Sequence, residues 1–505
     1  MKGLFKVRNL FSLFVLATLV FQCNDKEEKG RVAFQTYCGS CHIPPSPGDL
    51  PKKIWESSVL PEMGARLGVV TEGYDPLAGI SQAEIGAIIQ KNYYPDQALI
   101  GQKDWQALRD FVLKHAPDSL AVPPALPLSD TFSQFSVQTL NIDQRKGALT
   151  TCLDFHDSSE QVFIGNGYGE LFLYDDKKGA VLVQRSPSAI LSYTAGTSRH
   201  FLLEVGQMTP TEVPSGSLHE WVAGKKTLLI NKLHRPVYLL AQDMNSDGRE
   251  EILIAEYGNF SGQLSLVQQQ PDGRWYKESL LNVPGILRVI AEDMDQDGRL
   301  DLVLMAAQGD EGIYILYQKS DLHFQQHKVL RFNPLYGSSW FELVDINGDG
   351  QQDIITASGD NADFSYTTKP YHGVRIYLND GENGFAEHYF LAIPGATQVV
   401  ASDFDQDGDI DIGVGCFFPD YERQALSFVY LENTSSSNFS FRPQTFTEAL
   451  AGRWLLIKNI DYDRDGDEDI LMGAFSYSIT PAPPALAEQW KNGDVDVAIL
   501  KNRLR

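Results

Sequence analysis

Asp243-Met244-Asn245-Ser246-Asp247-Gly248, with Glu251 three residues on, is the stretch whose reading decides the fold. It returns as Asp293-Met294-Asp295-Gln296-Asp297-Gly298 with Asp301, and as Asp345-Ile346-Asn347-Gly348-Asp349-Gly350 with Asp353. Two further copies are Asp403-Phe404-Asp405-Gln406-Asp407-Gly408 with Asp411, and Asp461-Tyr462-Asp463-Arg464-Asp465-Gly466 with Asp469. The copies start 50, 52, 58 and 58 residues apart, a periodicity that chance does not produce. Oxygen-bearing side chains at positions 1, 3, 5 and 9 converge on one hard cation, and glycine at position 6 permits the sharp turn. The opening matches a helix-flanked calcium loop, but the last acid falls at position 9 rather than 12. The flanks differ too. Val237-Tyr238-Leu239-Leu240-Ala241 and Leu287-Arg288-Val289-Ile290-Ala291 precede two of the loops, and Ile252-Leu253-Ile254-Ala255 and Leu302-Val303-Leu304-Met305 follow them. These β-branched, apolar runs predict that each loop joins two strands.

A calcium-type loop between strands, repeated at this period, resembles the FG-GAP/VCBS family of β-propeller repeats over roughly three quarters of the chain. The resemblance implies about five calcium ions that pin the sheets and take no part in catalysis. Two units lacking the full acidic set, around Thr150 to Tyr174 and His200 to Trp221, bring the expected blade count to seven. After the last loop, Asp469 to Tyr477 and Val495 to Lys501 supply two strands, and Phe135 to Ile142 is expected to complete that blade. Such pairing of chain start with chain end removes exposed sheet edges.

If the acidic loops join first and second strands, they share one face, and the second-to-third connections open on the other. Two of these are long. Asp360-Asn361-Ala362-Asp363-Phe364-Ser365-Tyr366 runs on to Lys369, Tyr371 and His372, and Phe417-Phe418-Pro419-Asp420-Tyr421-Glu422-Arg423 lies one blade later. With Tyr336 and Trp340 they form a candidate ligand site, the alternative being aromatics that only cover the blade. No Ser-His-Asp order or paired-acid spacing picks out a reaction, so no catalytic residue is named.

The other motif is Cys38-Gly39-Ser40-Cys41-His42, the pattern by which a haem c is attached covalently. Cys38 and Cys41 would form the thioethers and His42 the proximal iron ligand. The alternatives are a redox dithiol, which lacks a βαβ pattern here, and a zinc site, whose next cysteine is as far off as Cys152. Helical patterns run from Gly30 to Tyr37, Ser81 to Tyr93 and Gln102 to His115, the last ended by Ala116-Pro117. Together they resemble a small class I cytochrome c whose first and last helices pack beside the haem. Met63 is the one methionine of this region and His115 its one other histidine. Met63, read in a loop shaped by Pro61 and Gly64, is the expected sixth ligand; His115 or a five-coordinate iron are the alternatives. Thioether ligation raises the potential and favours electron transfer.

The chain has 505 residues, 43% of them hydrophobic and 21% charged, which describes a folded multidomain protein. Its formal charge of −24 excludes a nucleic-acid partner. Lys2, Lys6 and Arg8 precede an apolar stretch from Leu10 to Phe21, and Cys23 is followed by a polar run. This resembles a lipoprotein signal, and Lys26-Glu27-Glu28 resembles the surface-export signal of Bacteroidetes lipoproteins. Cys23 is therefore the lipidation candidate, while Cys152 and Cys416 are expected as buried single thiols.

The expected layout is a signal peptide over 1–22, a cytochrome c domain over 29–118, a Pro-rich linker over 119–131 and a propeller over 132–505. The fold class is multidomain, a small all-α cytochrome c domain followed by an all-β seven-bladed propeller. The expected role is that of a lipid-anchored haem c electron-transfer protein of a Gram-negative periplasm or outer-membrane surface. Its propeller would dock a redox partner protein, a small molecule or a glycan. The alternatives are an oxidoreductase acting on a small molecule such as a sugar at the propeller face, and a glycan- or protein-binding surface protein.

Overall fold

A computed structural model describes residues 26–129, 132–156, 161–195, 199–222, 224–361, 366–435, 438–477 and 480–504. The signal-type segment and Cys23 lie outside these residues, as do 362–365 of the first long connection. The chain divides into two units, one described as helical over residues 26–120 and grouped with Asn333–Leu335, the other a β unit over Ala121–Phe332 and Tyr336–Arg505.

In the helical unit a helix over 26–38 leads into the Cys-x-x-Cys-His stretch, and a helix over Gln102–His115 lies against it. Gly30 sits at their crossing, where a Cβ would come within 2.7 Å of the Phe111 Cβ. Phe34 and Phe111 fill the adjoining space with ring centroids 5.8 Å apart. Ser81 caps the helix Gln82–Gln90, accepting from the Glu84 N–H at 3.3 Å. One helical run is new relative to the sequence reading: Lys52–Ile54, a π turn over Trp55–Val59, and Leu60–Arg66. Met63 therefore lies on a helix and not in a loop. Pro61 stands just after the π turn, where the i→i−4 ladder is already interrupted: the Leu60 N–H bonds to the Trp55 carbonyl five residues back. Gly64 is where the Trp105 ring packs, 2.9 Å from where a Cβ would be.

The β unit is a propeller of seven four-stranded antiparallel sheets. Blade III shows the pattern: Pro236–Gln242 innermost, then Glu251–Glu256, Gln263–Gln269 and Trp275–Leu281. The first strands touch their neighbours in unbroken order round the ring. The second strands lie between adjacent blades and are buried along their whole length in blades III to VII. Blade VII joins Trp454–Ile460, Asp469–Ala474 and Val497–Asn502 to an outermost strand, Phe135–Leu140, taken from the start of the unit. Phe135 pairs with Asn502 and Leu140 with Val497, so the ring closes as expected.

Each first strand carries a β-bulge just after its start, between Ile286 and Arg288 in blade IV and between Ser338 and Trp340 in blade V. Side chains near these bulges reach the unpaired inner edge of a neighbouring blade. Arg288 Nη1 donates to the Phe341 carbonyl at 2.6 Å, Thr151 Oγ1 to the Ile190 carbonyl at 2.7 Å, and the Ile457 N–H to Gln398 Oε1 at 2.6 Å. These three inner-edge groups are thereby satisfied by side chains, as buried polar groups require.

Candidate functional site

All five acidic loops connect a first strand to a second, on one face of the propeller. In blade IV the Asp293 carboxylate accepts from the Asp297 N–H at 3.0 Å and the Gly298 N–H at 2.8 Å. Blade V repeats this with Asp345, Asp349 at 3.0 Å and Gly350 at 2.7 Å. Position 6 has a positive φ in every copy, from 83° at Gly248 to 97° at Gly408, which explains the glycine. Ligand oxygens of Asp293, Asp295 and Asp297 lie within 4.8 Å of one another, and so do those of Asp403, Asp405 and Asp407, and of Asp461, Asp463 and Asp465. In blades III and V, Asn245 and Asn347 take the middle position beside Asp243 and Asp247, and Asp345 and Asp349.

This is the hard-oxygen donor set that calcium takes. Fit is supported by one further observation: Oδ1 of Asp403 and Oδ1 of Asp461 are buried without a hydrogen-bond partner. Each is a position-1 oxygen, and a cation would satisfy it.

The acid at position 9 behaves differently from the other three. Asp301 is fully buried; its Oδ2 accepts from the Met294 N–H at 3.0 Å and its Oδ1 from the Gln318 N–H at 2.7 Å. Asp353 does the same with Ile346 and Asn379, and Asp469 with Tyr462 and Asn502. Asp411 accepts from the Asn433 N–H at 2.7 Å and Tyr430 OH at 2.6 Å, and Glu251 from the Met244 N–H at 3.1 Å. None of these five belongs to the clusters found among the described residues. Burial pushes Asp301 and Asp353 up to about 6, and Glu251, Asp411 and Asp469 up to about 7. Position 9 thus ties the loop to the second and third strands.

In the helical unit, Cys38 is partly buried, Cys41 is exposed and both are free thiols. Burial pushes the Cys38 thiol up to about 12, opposite to what a reactive dithiol needs. His42 Nδ1 donates to the Ile43 carbonyl at 2.9 Å, which makes Nε2 the acceptor nitrogen of the neutral ring. Cys38 and Met63 pack against the same apolar core, formed by Phe34, Trp55, Leu60, Trp105 and Leu108 among others. His115 is at the surface, with Nε2 on Glu27 Oε1 at 3.0 Å and its ring 4.8 Å from that of Phe111.

On the opposite propeller face, the two long connections are organised by buried arginines. Arg453 lies 3.9 Å over the Phe417 ring, donates Nε to the Phe417 carbonyl at 2.9 Å and Nη2 to Thr480 Oγ1 at 2.7 Å. Tyr421 packs near Trp490 of a helix over Pro484–Asn492 that the sequence reading lacked. Arg375 is held between the Tyr336 and Phe390 rings at 4.0 and 4.2 Å and donates to the Tyr371 carbonyl. Lys369 and His372 are buried. Trp340 is not on a connection at all; it sits on the first strand of blade V, under the Arg288 guanidinium at 4.6 Å. The described aromatics here mostly serve as blade cover. Cys152 and Cys416 are buried and unpaired.

The FG-GAP-like repeat family matches residues 243–304 and 293–356. No curated protein matches the chain. Among solved structures, Saccharomyces cerevisiae Sqt1 is similar at 9% identity and a TM-score of 0.43, covering 73% of this chain and 100% of that one. No described helix is long and apolar enough to cross a membrane. The chain carries FG-GAP-like repeats within a seven-bladed β-propeller, preceded by a small helical unit.

Proposed function

We propose that the chain is an exported, lipid-anchored electron-transfer protein, with a haem c held by the helical unit and a calcium-stabilised propeller that docks a redox partner. The observation that carries this reading is Cys38-Gly39-Ser40-Cys41-His42 at the end of a helix crossed by the helix Gln102–His115, with Cys38 and Met63 on one apolar core. Cys38 and Cys41 would hold the group covalently, and His42 Nε2 and the Met63 thioether would supply its iron ligands. The haem supplies one-electron chemistry when bound. The chain's own part is to orient the imidazole through Ile43 and to keep water away with Trp55, Leu60 and Trp105. Lipidation at Cys23 and a periplasmic or outer-membrane setting belong to the same proposal.

Expression of the full chain alongside a cytochrome c maturation system tests it. Haem that stays with the polypeptide through denaturation, and is lost in Cys38→Ala/Cys41→Ala, is expected; a colourless wild type sinks the reading.

A second reading rests on a groove of about 550 Å³ between blades IV and V on the acidic-loop face, lined by Gln296, Tyr317, Lys319, Gln325, His327 and Asn383. Amides, an aromatic ring and the Lys319–Asp295 pair, with Glu382 at the same groove, suit a hydroxyl-rich small molecule. Calorimetric titration of oligosaccharides into wild type and Tyr317→Ala decides it, and no heat with any of them removes it.

A further inference from the structure

Glu62 is 6% exposed and sits inside the helix Leu60–Arg66, next to Met63. Its carboxylate is surrounded by donors. Arg66 Nε donates to Oε1 at 2.8 Å, Tyr74 OH to Oε2 at 2.6 Å and Tyr94 OH to Oε1 at 3.1 Å. The Arg66 guanidinium also lies 5.6 Å from the centre of the Tyr94 ring. Tyr74 and Tyr94 come from either side of the helix Gln82–Gln90, on the segment that leaves Leu67 and returns at Ile100. That return is fixed by the Leu99 N–H donating to the Leu67 carbonyl at 2.8 Å. One buried carboxylate therefore ties both arms of a surface excursion to the turn that carries Met63.

A carboxylate that is nearly excluded from water is costly unless its oxygens are paired, and here three donors pair them. Stability alone does not call for a charge at this site, since a well-packed apolar side chain would do as well. What a charged, three-donor network adds is one fixed geometry. From this we propose that Glu62 is a positioning residue, holding the helix Leu60–Arg66 so that the Met63 thioether is available as a ligand to the haem. The inference rests on the haem reading above. Glu62 touches no iron; it acts through the turn that carries Met63 and through Tyr74 and Tyr94.

The test uses the haem-loaded full chain and its Glu62→Gln, Tyr74→Phe, Tyr94→Phe and Met63→Ala variants. Covalent haem is quantified first, as the alkaline pyridine complex. Ferric protein is then titrated with imidazole, which displaces a weakly held thioether, and the weak red charge-transfer absorption of the sulfur–iron bond is followed. Glu62→Gln is expected to keep its haem content, bind imidazole about tenfold more tightly and lose part of the charge-transfer absorption. Tyr74→Phe and Tyr94→Phe should move the same way by less, and Met63→Ala should lack the absorption.

The outcomes separate the two layers of argument. No covalent haem in the wild type ends the haem reading and the positioning role with it. Full haem with the absorption retained in Met63→Ala overturns Met63 as the donor, and so the role of Glu62. Full haem, Met63 confirmed, and imidazole affinity unchanged in Glu62→Gln and both tyrosine variants overturns the positioning role alone. Should Glu62→Gln fail to mature, the tyrosine variants leave the carboxylate in place and decide the matter by the same titration.

Discussion

At the scale of single residues, the acidic loops separate two jobs that their spacing presents as one. Asp295 is exposed and pairs with Lys319 at 2.8 Å, an ion pair of little net value. Asp301 is fully buried and accepts two backbone N–H groups. Asp301→Ala strands both donors and should lower stability by about 3 kcal/mol even in chelator. Asp295→Ala should cost under about 1 kcal/mol in chelator but weaken the calcium-induced rise in melting temperature. Paired melts of the two variants, with EGTA and with excess calcium, check this; equal losses in EGTA would show that position 9 is no anchor. The sequence assigns all four acids to one cation from spacing along the chain, which shows nothing of the backbone contacts made at position 9. The division of labour depends on the third strand, whose Gln318, Asn379 and Asn502 N–H groups reach position 9 only when the blade is assembled.

At the scale of elements, the closing strand carries the ring. Phe135 is 2% exposed and contacts Phe404 and Tyr430 edge-on at 5.8 and 5.2 Å. Phe135→Ala should cost about 3–5 kcal/mol, and urea melts of the full chain should show it as one earlier transition. A loss below about 1 kcal/mol would mean that the seam carries little of the stability. Beside this strand, Asp496 Oδ2 accepts from the Ile142 N–H at 2.7 Å, and burial raises its carboxyl to about 6 from an ordinary 3.8. The folded state holds this proton more tightly than the open chain does. The resulting stability is therefore greatest below 3.8 and is lost as pH rises toward 6, above which the ionised group costs up to about 3 kcal/mol. In calcium-saturated protein, Asp496→Asn should be the firmer chain at pH 7.5, with the advantage shrinking at pH 4.5. An advantage that stays constant with pH would contradict the assignment. The closing strand was legible, since an unfilled fourth position after Val495 to Lys501 called for a partner. The helix over Leu60–Arg66 was not. Pro61 and Gly64 read as loop punctuation, whereas in the fold one follows a π turn inside a continuous helical run and the other admits the Trp105 ring. For the same reason the long connections looked like a binding face: their aromatics are visible in the sequence, but the burial among them of Arg375, just after the first connection, and Arg453, at the start of the next blade, is not.

At the scale of the molecule, a formal charge of −24 is gathered largely in loops on one face of five consecutive blades, while blades I and II have none of these loops. Removing cations should leave like charges facing one another within each loop, and the penalty should spread, because the first strands contact one another in an unbroken circle. A ring of this kind is expected to lose stability as one body, with a single propeller transition moving down in EGTA. Salt should then act as a partial substitute. Raising sodium chloride from roughly 20 to 200 mM shortens the screening length to about 7 Å, enough to weaken repulsion between loop carboxylates at the surface. The melting temperature in EGTA should accordingly rise with salt, and the rise should shrink once calcium is in excess, since bound ions have already neutralised the loops. Calorimetry across that two-by-two set of conditions reads both effects. A salt response of the same size with and without calcium would show that the charge does not reside where ions bind. A calcium response confined to a separate, partial transition would show that blades I and II hold together without the other five.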